Sequence, residues 1–554
     1  MSEPVKTPTI CLNMIVRNEA HIIHEVLDVT APYISYWVIV DTGSEDGTQQ
    51  VIRDHMAALG IPGELHERPW RNFGYNRTEA LALAQGHCDY IWVMDADDTI
   101  VGTPDFTNLD ADVYEMLILQ DIAKGWRPQM FRDGLPARYI GVVHEYPVCD
   151  QDHVTARIHG DFAVESRRLG GRNLDPRKYA RDRDLLLAEV ERNPDDTRSV
   201  FYLAQSYFDL EDFAPARMWY ERRSEMGGYD EEVFYSLYRI AGSMEALSEP
   251  WPDVQAAYLR AWEFRPTRAE PLYCIAFAYR VAGRYALGHL FAKMAMELPI
   301  PNDALFVFEQ VYTFRAADER AVCASWLGLH DEAFTLCRSL VALPDVPDDE
   351  RQRIASNRDF SVPSMLETAS SYPQDLAHSL VAGPQESEVT VSLRTGPDRA
   401  VTEQTLNTFL HCCLDVARVG RFLAIDTGLT AEDRALLAQQ YPFLEFTDPG
   451  TEIGGRYRLQ LDSGWLFFAP ENYITRLTGV LHAEPQVFQV GINFSDAQAL
   501  TGTCAAEDTV RRTPDAGRYV LTEQPATGPA MVDTTRRGRV DGAATLDEVL
   551  CILG

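Results

Sequence analysis

The sequence predicts α/β structure at both ends of the chain and an all-α region between them. Three observations carry that expectation. Apolar runs alternate with amphipathic stretches over roughly the first 165 residues. A pattern of aromatic and small residues then recurs at an offset of 72 residues. Strand-and-helix alternation returns after residue 388, together with a second Asp-Thr-Gly turn.

The first apolar run, Thr9 to Val16, reads as a buried strand, and Arg17-Asn18-Glu19 follows it. Ala20 to Val29 is amphipathic and reads as a helix. Tyr36 to Val40 is a second strand. It runs into Asp41-Thr42-Gly43-Ser44-Glu45-Asp46-Gly47-Thr48, a segment rich in turn residues, and a helix is expected from Gln49 to Leu59. Such alternation implies a parallel sheet that binds ligands at the carboxyl ends of its strands, where Asp41 falls. Tyr90 to Met94 is a further strand, closed by Asp95-Ala96-Asp97-Asp98. Strand period two would face Asp95 and Asp97 the same way. Paired carboxylates at that spacing suit Mg²⁺ or Mn²⁺, which then take substrate phosphates as further ligands. A solvated turn, with Asp97 or Asp98 capping the next element, is the plainer alternative.

These segments resemble the family 2 glycosyltransferases with a GT-A fold. The resemblance rests on Met14-Ile15-Val16-Arg17-Asn18-Glu19, on Val40 to Thr48, and on Met94-Asp95-Ala96-Asp97-Asp98, in that order and spacing. It is narrower with a bacterial branch in which this domain is fused to tetratricopeptide repeats. Trp70-Arg71-Asn72-Phe73-Gly74-Tyr75-Asn76-Arg77 and Gly141-Val142-Val143-His144-Glu145 carry that part. The resemblance implies that Arg17, Asn18, Glu19, Asp41 and Gly43 hold the nucleotide. It implies that Asp95, Ala96 and Asp97 present a metal ion to the diphosphate, with Asn76 and Arg77 nearby. Sugar transfer leaves negative charge on the departing phosphate, which a divalent cation and arginines offset. The attacking group needs a base, for which Glu145 is the candidate. His144 is the candidate for a third metal ligand or for orienting the acceptor.

Composition narrows the classes. The chain has 554 residues, 83 acidic against 50 basic, and a net charge of −33. That length calls for several domains. The acidity disfavours nucleic acid and anionic membrane as partners, since both reward clustered Lys and Arg. The sequence shows no run apolar enough to span a bilayer and no signal-peptide pattern, so a cytoplasmic enzyme is expected. Ten scattered cysteines, without a CxxC, read as reduced thiols.

Past residue 168 the character changes. Arg172-Asn173-Leu174-Asp175-Pro176-Arg177-Lys178-Tyr179-Ala180-Arg181 is basic in an acidic protein. It reads either as a helix start, with Asp175 as cap and Pro176 in the first turn, or as a segment folding over the donor diphosphate with Arg177, Lys178 and Arg181. Tyr202 to Tyr207, with Phe213 to Ala216, matches Cys274 to Tyr279 with Tyr285 to Gly288, about two tetratricopeptide units apart. Small residues at Ala204, Ala216, Ala276 and Gly288 allow close helix packing.

The expected domains are a GT-A catalytic domain over 1–168, helical repeats over 169–343, a linker over 344–388, and an α/β domain over 389–554. Arg421 to Gly428 repeats the pattern of Tyr36 to Gly43. Asp462-Ser463-Gly464 stands where a second carboxylate pair is expected and lacks its second member, so this domain reads either as a degenerate GT-A-like copy or as an unrelated α/β domain that shares one turn motif. The expected function is metal-dependent inverting transfer of a hexose from a nucleoside-diphosphate sugar, with UDP implied by the resemblance. The acceptor, whether glycan, peptide or protein, is not readable, and a homodimer is left open. A repeat scaffold with vestigial transferase domains and a nucleotidyltransferase are the alternatives.

Overall fold

The structure is a computed structural model that describes residues 7–120, 123–158, 160–380, 387–451, 453–494 and 504–554. The chain divides into two compact units. One is Met1–Pro266 with Pro301–Val307, and the other is Thr267–Ile300 with Phe308–Gly554.

The first unit opens with β1 (Ile10–Val16), α1 (Ile23–Thr30), β2 (Tyr36–Asp41), α2 (Thr48–Leu59), β3 (Gly63–Glu67), α3 (Phe73–Ala84) and β4 (Tyr90–Val93). Then come β5 (Asp98–Gly102), β6 (Val113–Gln120), β7 (Ala123–Arg132), β8 (Ala137–Ile140), β9 (Tyr146–Cys149), β10 (Thr155–Arg157) and β11 (Phe162–Ser166). The sheet order is β3-β2-β1-β4-β7-β6-β11-β5, with β10 beside β6, while β8 and β9 form a separate hairpin. Strands β3, β2, β1 and β4 are parallel. Strand β7 runs antiparallel to both β4 and β6. Apolar side chains bury both faces of the central strands: Ile10, Leu12, Met14 and Trp92 on one side, Cys11, Val38, Ile91 and Val93 on the other. That two-sided burial explains the continuous apolar runs of the sequence. Strand order reverses between β1 and β4, since β2 and β3 lie on one side of β1 and β4 on the other. This opens a crevice at the carboxyl ends of β1 and β4.

Helices follow in the same unit: α4 (Gly171–Leu174), α5 (Lys178–Arg192), α6 (Thr197–Asp209), α7 (Phe213–Glu225), α8 (Asp230–Ala246) and α9 (Trp251–Phe264). Ala204 and Ala216 are fully buried where α6 meets α7, as their size predicts. Helix α5 begins at Lys178 with Arg177 as its cap residue, so the expected cap Asp175 ends α4 instead. The Asp175 carboxylate accepts the Arg177 N–H, which holds the chain in a turn and delays the helix.

The second unit carries α10 (Glu270–Val281), α11 (Tyr285–Met296), α12 (Ala316–Trp326) and α13 (His330–Val341). The segment expected as a linker with a short helical stretch carries α14 (Asp348–Asp359), α15 (Val362–Ala369) and α16 (Gln374–Ser379). Ile354, Ala355, Val362 and Ala377 from it are buried in hydrophobic clusters. Burial of those few apolar residues overrides the polar composition that suggested a linker. Residues 381–386 of the expected linker lie outside the described residues.

The C-terminal sheet contains β12 (Val389–Arg394), β13 (Arg421–Ile425), β14 (Leu444–Thr447), β15 (Tyr457–Asp462), β17 (Val487–Gly491), β18 (Arg511–Thr513), β19 (Gly517–Thr522), β20 (Ala530–Asp533) and β21 (Gly542–Leu546); β16 (Trp465–Phe467) pairs separately with β22 (Cys551–Leu553). Helices α17 (Arg399–Cys412), α18 (Ala431–Gln440) and α19 (Tyr473–Ala483) connect its strands. The order is β14-β13-β12-β15-β20-β17-β21-β19-β18. From the β14 edge, the first eight strands run in the same sequence of directions as the eight-strand path of the N-terminal sheet. The chain threads the last four positions differently, so the likeness is one of sheet architecture rather than of full connectivity. Among the described residues, no helix is long and apolar enough to cross a membrane.

Candidate functional site

Two loops meet at the ends of β1 and β2. Asn18 sits in the left-handed region at φ 58° and donates its backbone N–H to Ser44 Oγ, while its side chain accepts the Glu45 N–H at 2.8 Å. The Glu19 N–H donates to Thr48 Oγ1, and the Ala20 N–H to Asp46 Oδ2. The Arg-Asn-Glu and Asp-Thr-Gly motifs are thus one hydrogen-bonded structure. The Arg17 side chain is exposed. Asp41 is 1% exposed. Its Oδ1 accepts the N–H groups of Gly43 and Ser44 at 2.9 Å and the Gln49 amide at 3.0 Å. Gly43 stands at φ 104°, a backbone conformation that this turn requires and that side chains other than glycine resist. Asp41 Oδ2 is buried with no partner, a cost that a donor from a bound molecule would remove.

The carboxylate turn differs from the expected strand end. Strand β4 stops at Val93, so Asp95, Ala96 and Asp97 lie beyond its alternation. Asp95 turns to one side and pairs with Arg77. Asp97 turns to another, accepting the Gly170 N–H at 2.9 Å on Oδ2, with the Asn173 amide at 3.5 Å. Ala96 is a buried core residue, and Asp98 begins β5 and accepts the Asp95 N–H. Burial, then the neighbouring Asp95 and Asp97 charges, raise the Asp98 pKa to about 8. Burial opposes ionisation of Asp95, but the Arg77 guanidinium outweighs it and holds that carboxyl below its usual range.

A strap from the end of β11 crosses this turn. Gly171 donates its N–H to the Glu19 carboxylate at 3.1 Å, and the Leu169 carbonyl meets His21 Nε2 at 3.0 Å. A Cβ at Gly171 would lie 2.8 Å from the Asn18 carbonyl oxygen, so only glycine passes here. Glu19 is buried; desolvation, then the Asp97 charge, raise its pKa to about 7 against the pull of the Gly171 N–H. The basic segment that follows does not reach the pocket with the residues expected. Arg177 and Arg181 pair with Asp175, and Lys178 donates to Asn173 Oδ1. Arg172 reaches it instead, anchored by two 2.7 Å bonds to Asp182 and packed over the Phe73 ring.

On the Asp95 side lies a cavity of about 350 Å³. Arg77 is its centre, bonding Asp95 through Nη2 and Glu145 Oε1 through Nε at 2.6 Å. The Asp95-Ala96-Asp97 turn and the candidate base Glu145 are therefore brought together by one guanidinium. His144 also lines the cavity, at φ 54°, with its ring stacked 3.9 Å from that of Tyr202. Desolvation and then Arg172, Arg198, Lys178 and Arg127 lower its pKa. Asn76 is fully buried, and its amide is spent on the loop backbone at Arg71 and Pro69, which fixes the approach to α3 rather than lining the pocket.

Among the described residues, no three His, Cys, Asp or Glu side chains converge as metal ligands. The expected set of Asp95, Asp97 and His144 is not gathered, because Asp97 faces the strap and His144 faces Tyr202. The two carboxylates alone fit a hard divalent cation completed by phosphate oxygens and water. Among the described residues Asp95 Oδ2 and Asp97 Oδ1 accept no hydrogen bond, and both are oxygen donors of the kind Mg²⁺ and Mn²⁺ take. The cavity also holds residues that sequence reasoning missed: Arg127, Gln129, Tyr139, Arg172, Arg198 and Tyr202. Pro128 inside a strand was the one available signal, since proline there marks an edge or a bulge.

The C-terminal sheet repeats the turn but not the site. Asp426 Oδ1 accepts the Gly428 and Leu429 N–H groups at 3.1 Å, as Asp41 does for its own loop. Asp462 is held by two bonds from Arg394, its register partner on β12. Gly464 occupies the place of a second carboxylate. Three arginines of this domain are engaged in ion pairs: Arg511 with Glu484, Arg512 with Glu507, and Arg536 with Asp533.

Residues 11–102 match the family described as glycosyl transferase family 2. That span contains Arg17, Asn18, Glu19, Asp41, Arg77, Asp95 and Asp97. A search of the curated proteins returns no match. Among solved structures, the chain is similar to MamA, at 13% identity over 29% of this chain and 86% of that one, with a TM-score of 0.24. It is similar to YrrB, a TPR protein with an unusual peptide-binding site, at 14% identity over 32% and 82%, TM-score 0.26. A tetratricopeptide repeat protein from Parabacteroides merdae aligns at 15% identity over 35% and 69%, TM-score 0.26. Scores this low carry no argument about the chain's activity.

Proposed function

We propose that this chain, whose N-terminal sheet carries a glycosyl transferase family 2 domain joined to helical repeats of the tetratricopeptide kind, is an inverting hexosyltransferase using a nucleoside-diphosphate sugar, UDP-hexose by preference. The observation that carries the reading is the buried, unpartnered Asp41 Oδ2 on the same switch-point crevice as the Asp95–Asp97 turn. An orphaned acceptor at a strand end suits the N–H of a nucleobase or the O–H of a ribose. Asp95 and Asp97 would hold Mn²⁺ or Mg²⁺, whose chemistry there is to offset charge on the departing diphosphate.

The chain's own residues supply the rest. Glu145 keeps Oε2 free to accept the proton of the acceptor hydroxyl while Arg77 holds Oε1. The hydroxyl oxygen bonds to the anomeric carbon as the bond from that carbon to the diphosphate oxygen breaks, and the configuration inverts. Arg77 ties the base to Asp95, so base and phosphate-facing carboxylate are positioned as one unit. Tyr139 and Tyr202 line the same cavity as the base. The acceptor is a glycan, peptide or protein, and the reaction is assigned to the cytoplasm.

The test is hydrolysis and transfer with a panel of nucleotide sugars, with and without Mn²⁺, alongside UDP binding by calorimetry. Metal-dependent release of a nucleoside diphosphate, lost in Asp97→Ala, supports the reading. Release of pyrophosphate would indicate a nucleotidyltransferase. No hydrolysis of any donor and no binding of Mn²⁺ with UDP would leave a repeat scaffold.

A further inference from the structure

Strand β7 is irregular where it borders the cavity. Tyr114 pairs with Met130, but Glu115 pairs with Pro128, so Gln129 is an extra residue with no partner across the ladder. A regular strand would turn alternate residues away from the pocket. Here Arg127, Pro128 and Gln129 all line it in succession. A bulge re-aims side chains in this way, and bulges favour the edges of active sites.

Two of those residues are left with unmet bonding. Gln129 is 5% exposed and its Oε1 has no partner. An acceptor oxygen so placed needs an O–H or N–H from something that enters the cavity. The Arg127 side chain makes no hydrogen bond or ion pair among the described residues, whereas Arg77 and Arg172 are each held by carboxylates. Arg198 spends two of its N–H groups on the His144 carbonyl and lies over the Tyr146 and Tyr202 rings. Four guanidinium groups therefore line one cavity of a chain whose net charge is −33. Arg77 is shared by two carboxylates of the cavity, Asp95 and Glu145, Arg172 is held by Asp182, and Arg198 stands 3.7 Å from Glu232, so Arg127 is the cavity arginine without an ion pair among the described residues.

We propose that the β7 bulge builds an acceptor subsite for an anionic, hydroxyl-bearing acceptor, one whose phosphate or carboxylate pairs with Arg127 and Arg172 while a hydroxyl donates to Gln129. The inference rests on the transferase reading, since that reading puts the acceptor beside Glu145. It goes beyond it by naming the acceptor's charge. The same chemistry arises from a sugar phosphate or a uronic acid, and the test separates them.

Binding of glucose, glucose 6-phosphate and glucuronate to the full-length protein is measured by calorimetry, in the presence of UDP and Mn²⁺. The charged probes are expected to bind at least about tenfold more tightly than glucose, with the gap shrinking as salt rises. The stronger of the two identifies the anion as phosphate or carboxylate. Arg127→Ala should remove most of the preference, Arg127→Lys should restore part of it, and Gln129→Leu should weaken all three sugars together. Affinity for UDP with Mn²⁺ is read separately in each variant. Equal binding of glucose and both anions overturns the proposal, as does a loss in Arg127→Ala that falls on UDP instead, which would give the arginine to the donor. A protein that binds the anions selectively but neither UDP nor any nucleotide sugar keeps the anionic subsite and sinks the transferase reading alone.

Discussion

Replacing Arg77 by Met tests how the pocket is held together. The guanidinium is 12% exposed, as is its Glu145 partner, while Asp95 is 37% exposed. Methionine keeps the apolar stem and removes only the charge and its N–H donors. Breaking a buried pair by removing one partner costs about 3–5 kcal/mol. Asp95 is exposed enough for solvent to screen part of its loss, so the lower end, about 3 kcal/mol, is expected. For a unit of this size that lowers the first melting transition by roughly 5 °C. Differential scanning calorimetry at pH 7 measures it. The pH dependence has a definite sign. Asp95 is held below its usual pKa in the native protein, so its contribution is present above the unfolded carboxylate value and is lost as pH falls through the folded one. The gap between wild type and Arg77→Met should therefore narrow below about pH 4. A double variant with Glu145→Gln should melt higher than additivity predicts, because the second change removes a carboxylate that the first left unpaired. A midpoint shift under about 2 °C at pH 7, or strict additivity, would show that Arg77 does not hold this site together.

Three further outcomes are expected. Glu145→Gln should lower the chemical step roughly 10²–10⁴-fold at saturating donor, with donor affinity little changed, as single-turnover transfer would show; near-normal turnover refutes the base. Asp462→Ala should leave donor hydrolysis at the wild-type rate, because Arg394 already consumes that carboxylate and no second one accompanies it; loss of hydrolysis in a folded variant would reveal a second working site. Gly288→Val should destabilise the second unit by about 1–3 kcal/mol, since even a Cβ would stand 2.7 Å from Cys323 Sγ and 3.3 Å from the Ala276 carbonyl oxygen; an unchanged denaturation midpoint would contradict the close helix approach.

The sequence by itself determined the order α/β, helical, α/β, because buried parallel strands and paired helices leave local signatures: continuous apolar runs, and small residues such as Ala204 and Ala276 at the helix crossings. It also determined which loops carry polar chemistry, since Asp41-Thr42-Gly43 and Asp95-Ala96-Asp97 stand directly after strands. Tertiary structure alone decided how those groups meet. Asp95 and Asp97 turn to different neighbours because the strand ends at Val93, before its alternation can orient them. The region between residues 344 and 388 is polar in composition, yet it packs because a few residues such as Ile354 and Val362 find distant partners. Arg172 and Arg198 enter the pocket from helices far along the chain, while Arg177 and Arg181 are spent on Asp175. Gln129 faces the cavity only because one residue is extra in a ladder whose register depends on β6. Local pattern reports which face of an element is apolar. Where a charge ends up depends on which partner neutralises it, and those partners are set by contacts between segments that the order of residues does not bring together.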